Sequence, residues 1–78
     1  MERFELTWSD VESSTILQVR FTCNETRTGK LVVRFKASSD VYIYDDVPIN
    51  KVFQFMVSSS PGSFFAKEIK NSYKYTKL

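Results

Sequence analysis

The 78 residues of the chain, 42% of them apolar, predict one small domain over residues 1–78 that buries a core, with a mild formal net charge of +2. Cys23 is the single cysteine and histidine is absent, which excludes disulfide frameworks, cysteine or histidine zinc sites and histidine-based catalysis. We therefore expect a cytoplasmic protein that is not an enzyme, has no metal or cofactor, and lacks the roughly 18 consecutive apolar residues that cross a membrane.

Alternating apolar and polar residues predict three or four antiparallel strands, over residues 4–8, 15–22, 30–36 and 41–44. The second and third strands should bury one shared face, made of Leu17, Val19, Phe21, Leu31, Val33 and Phe35. Ile16, Arg20 and Arg34 would then point outward. Residues 23–29 and 37–40 are polar and are predicted to be turns between the strands.

Two helices are predicted after the strands, where the apolar period changes from 2 to about 3.6. The first should begin at Val47-Pro48 and bury one stripe, made of Ile49, Val52, Phe53 and Met56, with Phe55 outside it. The second should begin between Ser60 and Ser63 and run to Asn71 or Ser72, burying Phe65, Ile69 and Tyr73, before a frayed end. The predicted class is α+β, a small antiparallel three- to four-stranded meander followed by two helices packed on one face.

Six short motifs, in this order, resemble the KTSC domain: Ser13-Ser14-x-Ile16, Leu31-Val32-Val33-x-Phe35, Tyr42-x-Tyr44, Val47-Pro48, Ser60-x-Gly62-x-Phe64-Phe65 and residues 69–73. The resemblance covers residues 11–75, and Ala66 departs from it at a position where asparagine is common. That family occurs at the C-terminus of some lysyl-tRNA synthetases and as free-standing bacterial or phage proteins. The resemblance implies a module without the catalytic body of the synthetase, and the synthetase context suggests RNA or tRNA as its partner.

The length of the turn before Tyr42 and Tyr44 decides which face of the sheet the two tyrosines share. A turn with an even number of residues would place Tyr42 opposite Phe35, in the core. A turn of three residues, 37–39, would place Tyr42 opposite Arg34, on the outer face. We favour the second arrangement, because it buries in the core the apolar residues that alternate with the tyrosines.

In the favoured arrangement, an aromatic and basic surface forms on the outer face of the sheet. Bases of single-stranded RNA stack on such rings, and arginine and lysine side chains neutralise the phosphates. The residues predicted to bind RNA there are Tyr42, Tyr44, Gln18, Arg20, Arg34 and Lys36. In the other arrangement the tyrosines are cross-strand packing partners.

Lysines near the end of the chain are spaced so that a continuous helix would align them on one face: Lys67, Lys70, Lys74 and Lys77. Such a stripe either follows RNA phosphates or is an ordinary solvated surface. The alternative to RNA is a protein partner, as for a phage or bacterial accessory factor, with an exposed Phe55 at the contact.

Asp45 and Asp46 form the one pair of adjacent carboxylates in the chain. Paired carboxylates can hold Mg²⁺, but their position just before Val47-Pro48 favours capping of the first helix.

Overall fold

The computed structural model describes residues 4–23, 27–38 and 40–78. In this part of the chain, five antiparallel strands form one sheet in chain order: β1 (Phe4–Asp10), β2 (Ile16–Cys23), β3 (Thr28–Phe35), β4 (Val41–Pro48) and β5 (Tyr75–Lys77). Helix α1 (Ile49–Val57) follows β4, and a short helix α2 (Pro61–Phe64) continues directly into a π-helical turn (Phe65–Ile69). The α+β class is confirmed, with five strands in place of the three or four predicted.

The fifth strand is formed by the segment that the sequence predicts to be a frayed end. Tyr75, Thr76 and Lys77 lie opposite Tyr44, Ile43 and Tyr42 of β4. The N–H of Leu78 also donates to the carbonyl of Val41, with an N···O distance of 2.8 Å. Tyr75 is the single apolar residue of β5, and this is too few to give the sustained apolar alternation that predicts a strand with one buried face.

A β-bulge at the start of β2 exchanges the expected positions of Ile16 and Leu17. Ile16 lies opposite Phe35 and Gln18 lies opposite Arg34, so Leu17 is the extra residue. Ile16 is fully buried and Leu17 is 38% exposed. The prediction that Leu17 points inward and Ile16 outward is therefore wrong, because strict alternation does not survive a bulge.

Helix α1 is rotated relative to the prediction. Val52 and Phe55 are fully buried, whereas Phe53 is 48% exposed. Ile49 and Met56 pack against the core as expected. Phe53 and Phe55 lie on opposite sides of the line formed by Ile49, Val52 and Met56, so the helical period alone does not say which phenylalanine completes the buried stripe.

A second bulge, in β4, contains the two adjacent carboxylates. Gly29 lies opposite Val47 and Leu31 opposite Tyr44, which leaves one extra residue in β4, and Asp46 has a φ of 57° there. The Asp45 carboxylate accepts a hydrogen bond from the Lys30 ammonium at 2.8 Å, which raises the pKa of Lys30. Pro48 is the N-cap of α1 and no side chain caps it. The predicted capping role of the carboxylates is therefore wrong.

Among the described residues, no helix has the length and apolar character needed to cross a membrane.

Candidate functional site

Tyr42 and Tyr44 lie on the inner face of the sheet, where the helices pack. Tyr42 is opposite Val33 and Tyr44 is opposite Leu31. The N–H of Phe35 donates to the carbonyl of Asp40 at 3.0 Å, so these two residues close the turn. Residues 36–39 lie between them, which is an even number. The favoured prediction of an outward tyrosine pair is wrong. The other predicted arrangement, with an even number of residues in the turn, places the pair on the inner face as observed, although Tyr42 lies opposite Val33 and not opposite Phe35.

The residues that alternate with the tyrosines lie on the outer face. Val41 is opposite Arg34 and Ile43 is opposite Val32, and both are only partly buried. Both faces of β4 carry apolar or aromatic residues, so the composition of the strand alone does not determine which face points inward. The larger tyrosine rings occupy the face that has helices to cover them.

Five aromatic rings surround a groove of about 710 Å³ between the inner face of β4 and the π-helical turn. We call it the aromatic groove, and its rings are Phe35, Tyr42, Tyr44, Phe65 and Tyr75. Tyr44 meets Phe65 edge to face, with ring centroids 5.3 Å apart. Tyr75 lies 5.5 Å from Tyr42 and 5.4 Å from Tyr44, so β5 forms one wall of the groove.

The rings differ in accessibility, and this gives the groove a floor and a mouth. Tyr44 is only 3% exposed and forms part of the floor. Tyr42 and Phe35 are partly buried, and Tyr75 is 56% exposed at the mouth. The faces available to a ligand are therefore those of Tyr75, Tyr42 and Phe35.

Polar side chains from several elements complete the lining: Ser14, Thr15, Ser38, Asp40, Ser63, Lys70 and Asn71. Gly62 lets the start of α2 approach the turn before β2, since a Cβ at this position would lie 2.9 Å from the Ser13 hydroxyl. That hydroxyl accepts hydrogen bonds from the backbone N–H groups of Thr15 and Ile16 at 3.1 and 3.2 Å. The motif residues Ser13 and Gly62 thus lie close together where the turn before β2 meets the start of α2.

Burial raises the pKa of Tyr44 to about 12, and the neighbouring Tyr75 and Tyr42 add to the effect. Tyrosine ordinarily ionises near 10. Because the unfolded chain releases this proton at a lower pH than the folded one, Tyr44 should favour unfolding as the pH rises from about 10 to about 12.

An ultraviolet titration of tyrosinate should therefore resolve one tyrosine that ionises near pH 12 in the native protein. Tyr44→Phe should remove this late step and lessen the loss of stability above pH 10, measured by urea unfolding. Tyr75→Phe, which alters an exposed ring, is the matched control and should keep the late step. Ionisation of all tyrosines together near pH 10 in the folded protein would contradict the burial of Tyr44.

The two arginines of the predicted RNA surface lie away from the groove, on the outer face. The Arg20 guanidinium is 3.6 Å from the Glu5 carboxylate. The Arg34 guanidinium lies over the Trp8 ring, 5.1 Å from its centroid. The tyrosines and arginines predicted to share one surface are therefore on opposite faces of the sheet. Lys36 is exposed in the turn that follows β3.

The predicted lysine stripe does not form along one helix, because the π-helical turn ends at Ile69. Lys67 lies in that turn and Lys70 lines the groove just after it. Lys74 precedes β5, and its carbonyl accepts a hydrogen bond from the N–H of Asp45 at 2.9 Å. Lys77 lies within β5 itself.

The lysines that have no described acidic partner lie in the segments that line the groove or directly adjoin them. Lys30, Lys51 and Lys77 form salt bridges. The other lysines make no salt bridge to a described carboxylate: Lys36, Lys67, Lys70 and Lys74. Each of these either lines the groove or is next in sequence to a residue that does.

Tyr75 and Asp40 are groove residues that the sequence patterns do not single out. Tyr75 alternates with Lys74 and Thr76, which is the one local signal for a strand there. Asp40 belongs to a predicted turn, and nothing in its local pattern indicates that it borders a ring cluster.

Cys23 and three phenylalanines of the helical segments, Phe55, Phe64 and Phe65, are buried or partly buried. Phe65 and Cys23 belong to the core, and Phe64 packs against it with its ring 6.3 Å from that of Phe55. Phe55 is itself in the core, so its predicted role as an exposed protein contact is wrong.

Comparison with known proteins agrees with the motifs that frame the groove. The model of the KTSC domain family matches residues 12–73. The crystal structure of the KTSC domain protein YPO2434 from Yersinia pestis is similar, with a TM-score of 0.79 and 28% sequence identity, over 92% of this chain and 96% of that chain. No curated protein matches this sequence. The chain therefore belongs to the KTSC domain family.

Proposed function

We propose that this protein is a non-enzymatic binding module that holds unpaired bases of single-stranded RNA in the aromatic groove. The observation that carries the proposal is the set of accessible rings at the mouth of the groove, beside an ammonium group. Tyr75 is exposed, Tyr42 is partly buried, and Lys70 lines the same groove. Stacking of a base on such a ring contributes about 1–3 kcal/mol.

The lysines without an acidic partner supply the electrostatic part of the proposed interaction. Lys36, Lys67, Lys70 and Lys74 lie in or next to the segments that line the groove. A lysine that is not already paired can neutralise a phosphate without first losing a carboxylate partner. Binding should therefore weaken as salt rises, because each neutralised phosphate releases counterions.

The ionisable groups of the groove support binding rather than proton transfer. The Asp40 carboxylate is 3.4 Å from the Lys77 ammonium and pairs with it. The pKa of Tyr44 is raised to about 12, away from neutral pH. A general acid or base works best with a pKa near the working pH, so the shift of Tyr44 is in the wrong direction for such a role.

Tyr75→Ala is expected to weaken binding of short single-stranded RNA by roughly five- to a hundredfold, because it removes the exposed stacking ring. The affinity can be measured by fluorescence anisotropy, and the site by backbone amide shifts of the isotope-labelled protein. Shifts should cluster at residues 35–42, 63–71 and 75. Trp8→Ala, which removes a partly exposed ring from the outer face, is the matched control and should bind normally.

A loss of affinity in Trp8→Ala but not in Tyr75→Ala would place the RNA on the outer face and contradict the groove. The absence of amide shifts with any single-stranded RNA at low salt would refute RNA binding itself.

A protein partner is the second candidate, and one feature of α1 favours it. Phe53 is 48% exposed and Val57 is 83% exposed, and the two are one helical turn apart on the same side. An exposed apolar pair of this kind is a common contact for another protein. A partner whose capture survives nuclease digestion and is lost in Phe53→Ser would favour this candidate, whereas equal capture by the variant would count against it.

A further inference from the structure

One carboxylate lies among the rings of the aromatic groove. Asp40 comes just before β4, two residues from Tyr42, and its carbonyl accepts a hydrogen bond from the N–H of Phe35 at 3.0 Å. This contact continues the pairing of β3 with β4, so the Asp40 side chain shares the inner face with Tyr42. Lys77 lies opposite Tyr42 on β5, and its ammonium is 3.4 Å from the Asp40 carboxylate. A strong acceptor on a residue that lines the groove and a strong donor directly beside it are therefore available at this edge of the groove.

Both charged groups remain accessible to a ligand. The side chains of Asp40 and Lys77 are 36% and 54% exposed. A carboxylate offers only acceptors and an ammonium only donors. A base stacked on Tyr42 or Tyr75 would turn one edge towards this pair, and the edge that fits must present donors to Asp40 and an acceptor to Lys77.

Guanine has the edge that matches this pattern. Its N1–H and N2 amino group are adjacent donors, and its O6 is an acceptor beside them. Uracil presents a single N3–H between two carbonyl acceptors. Cytosine and adenine each present one amino group beside a ring nitrogen whose lone pair would face the carboxylate.

We propose that the aromatic groove prefers guanine, with Asp40 as the residue that determines this specificity and Lys77 as the donor to O6. This inference rests on the proposed function, that the groove holds an unpaired base. Two adjacent donors on a carboxylate give a bidentate contact, which discriminates between bases by about fivefold or more.

The test compares short oligouridines that carry one central guanosine, adenosine, cytidine or uridine, by fluorescence anisotropy with the intact protein. The guanosine oligonucleotide should bind at least about fivefold more tightly than the uridine one. Inosine lacks the N2 amino group, so replacing guanosine by inosine should remove much of this preference.

Asp40→Asn should bring the affinity ratio of the guanosine and uridine oligonucleotides close to one. Binding of oligouridine should not weaken, because a negative charge beside the groove is removed. Asp10→Asn makes the same charge change on β1, at a position that does not line the groove, and should keep the guanosine preference.

Each outcome separates this inference from the proposed function. Equal affinity for all four oligonucleotides, with amide shifts in the groove, would refute the guanine preference and leave RNA binding in place. An unchanged preference in Asp40→Asn would refute the role of Asp40. No binding of any oligonucleotide would overturn both.

Discussion

Replacing Phe55 by alanine is expected to destabilise the protein by about 3–5 kcal/mol, the usual loss for a phenylalanine removed from a core. Phe55 has no exposed surface, and its ring lies 6.3 Å from Phe64 and 6.4 Å from Phe65. A domain of this length is typically stable by only about 4–12 kcal/mol. A large fraction of the variant should therefore be unfolded under conditions in which the parent protein is folded.

Phe53→Ala is the matched control, since it removes the same side chain from the same helix. Phe53 is 48% exposed, so its loss should lower the free energy of unfolding by clearly less than the loss of the fully buried Phe55. Urea unfolding followed by circular dichroism measures both variants. Equal losses, or a larger loss for Phe53→Ala, would show that α1 is not rotated as described.

These two phenylalanines show how far local periodicity predicts this fold. The period identifies a helix over this segment and three of its inner residues, Ile49, Val52 and Met56. It does not decide between Phe53 and Phe55, because each is adjacent to the stripe on one side. The choice depends on what the helix packs against, which includes the pair Phe64 and Phe65 from a later segment as well as the sheet.

Local periodicity also predicts the strands, and these predictions also go wrong where contacts with another segment decide which face a residue occupies. Alternation identifies β2, β3 and β4, but the bulges at Leu17 and at Asp45-Asp46 each add one residue and reverse the faces beyond them. A bulge depends on the pairing of two strands, so the sequence of one strand does not reveal it. The length of the turn before β4 has the same effect on Tyr42.

The aromatic groove could be predicted only in part. The sequence predicts Tyr42 and Tyr44 as binding residues and Lys70 as a phosphate contact. Their meeting with Tyr75 depends on β5, whose three exposed residues form a strand because β4 offers them an unpaired edge. Residues brought together by such long-range pairing share no local pattern.

Tyr44→Ala is expected to destabilise the fold by about 3–5 kcal/mol, because the ring is almost fully buried against Phe65 and Tyr75. Tyr44→Phe keeps the ring and should cost less than about 1.5 kcal/mol. Thermal and urea unfolding of the two variants measure the difference. If Tyr44→Ala stays within about 1 kcal/mol of the parent protein, Tyr44 is not part of the core and the outward arrangement regains support.

The burial of Tyr44 also determines how a loss of RNA binding should be interpreted. A variant with both Tyr42 and Tyr44 changed to alanine should lose binding because the floor of the groove no longer folds, whether or not a base ever touches the rings. Tyr75→Ala removes an exposed ring from the same groove and should leave the fold intact. If Tyr75→Ala binds RNA normally while the double variant is unfolded, the tyrosine pair supports the sheet and does not stack on bases.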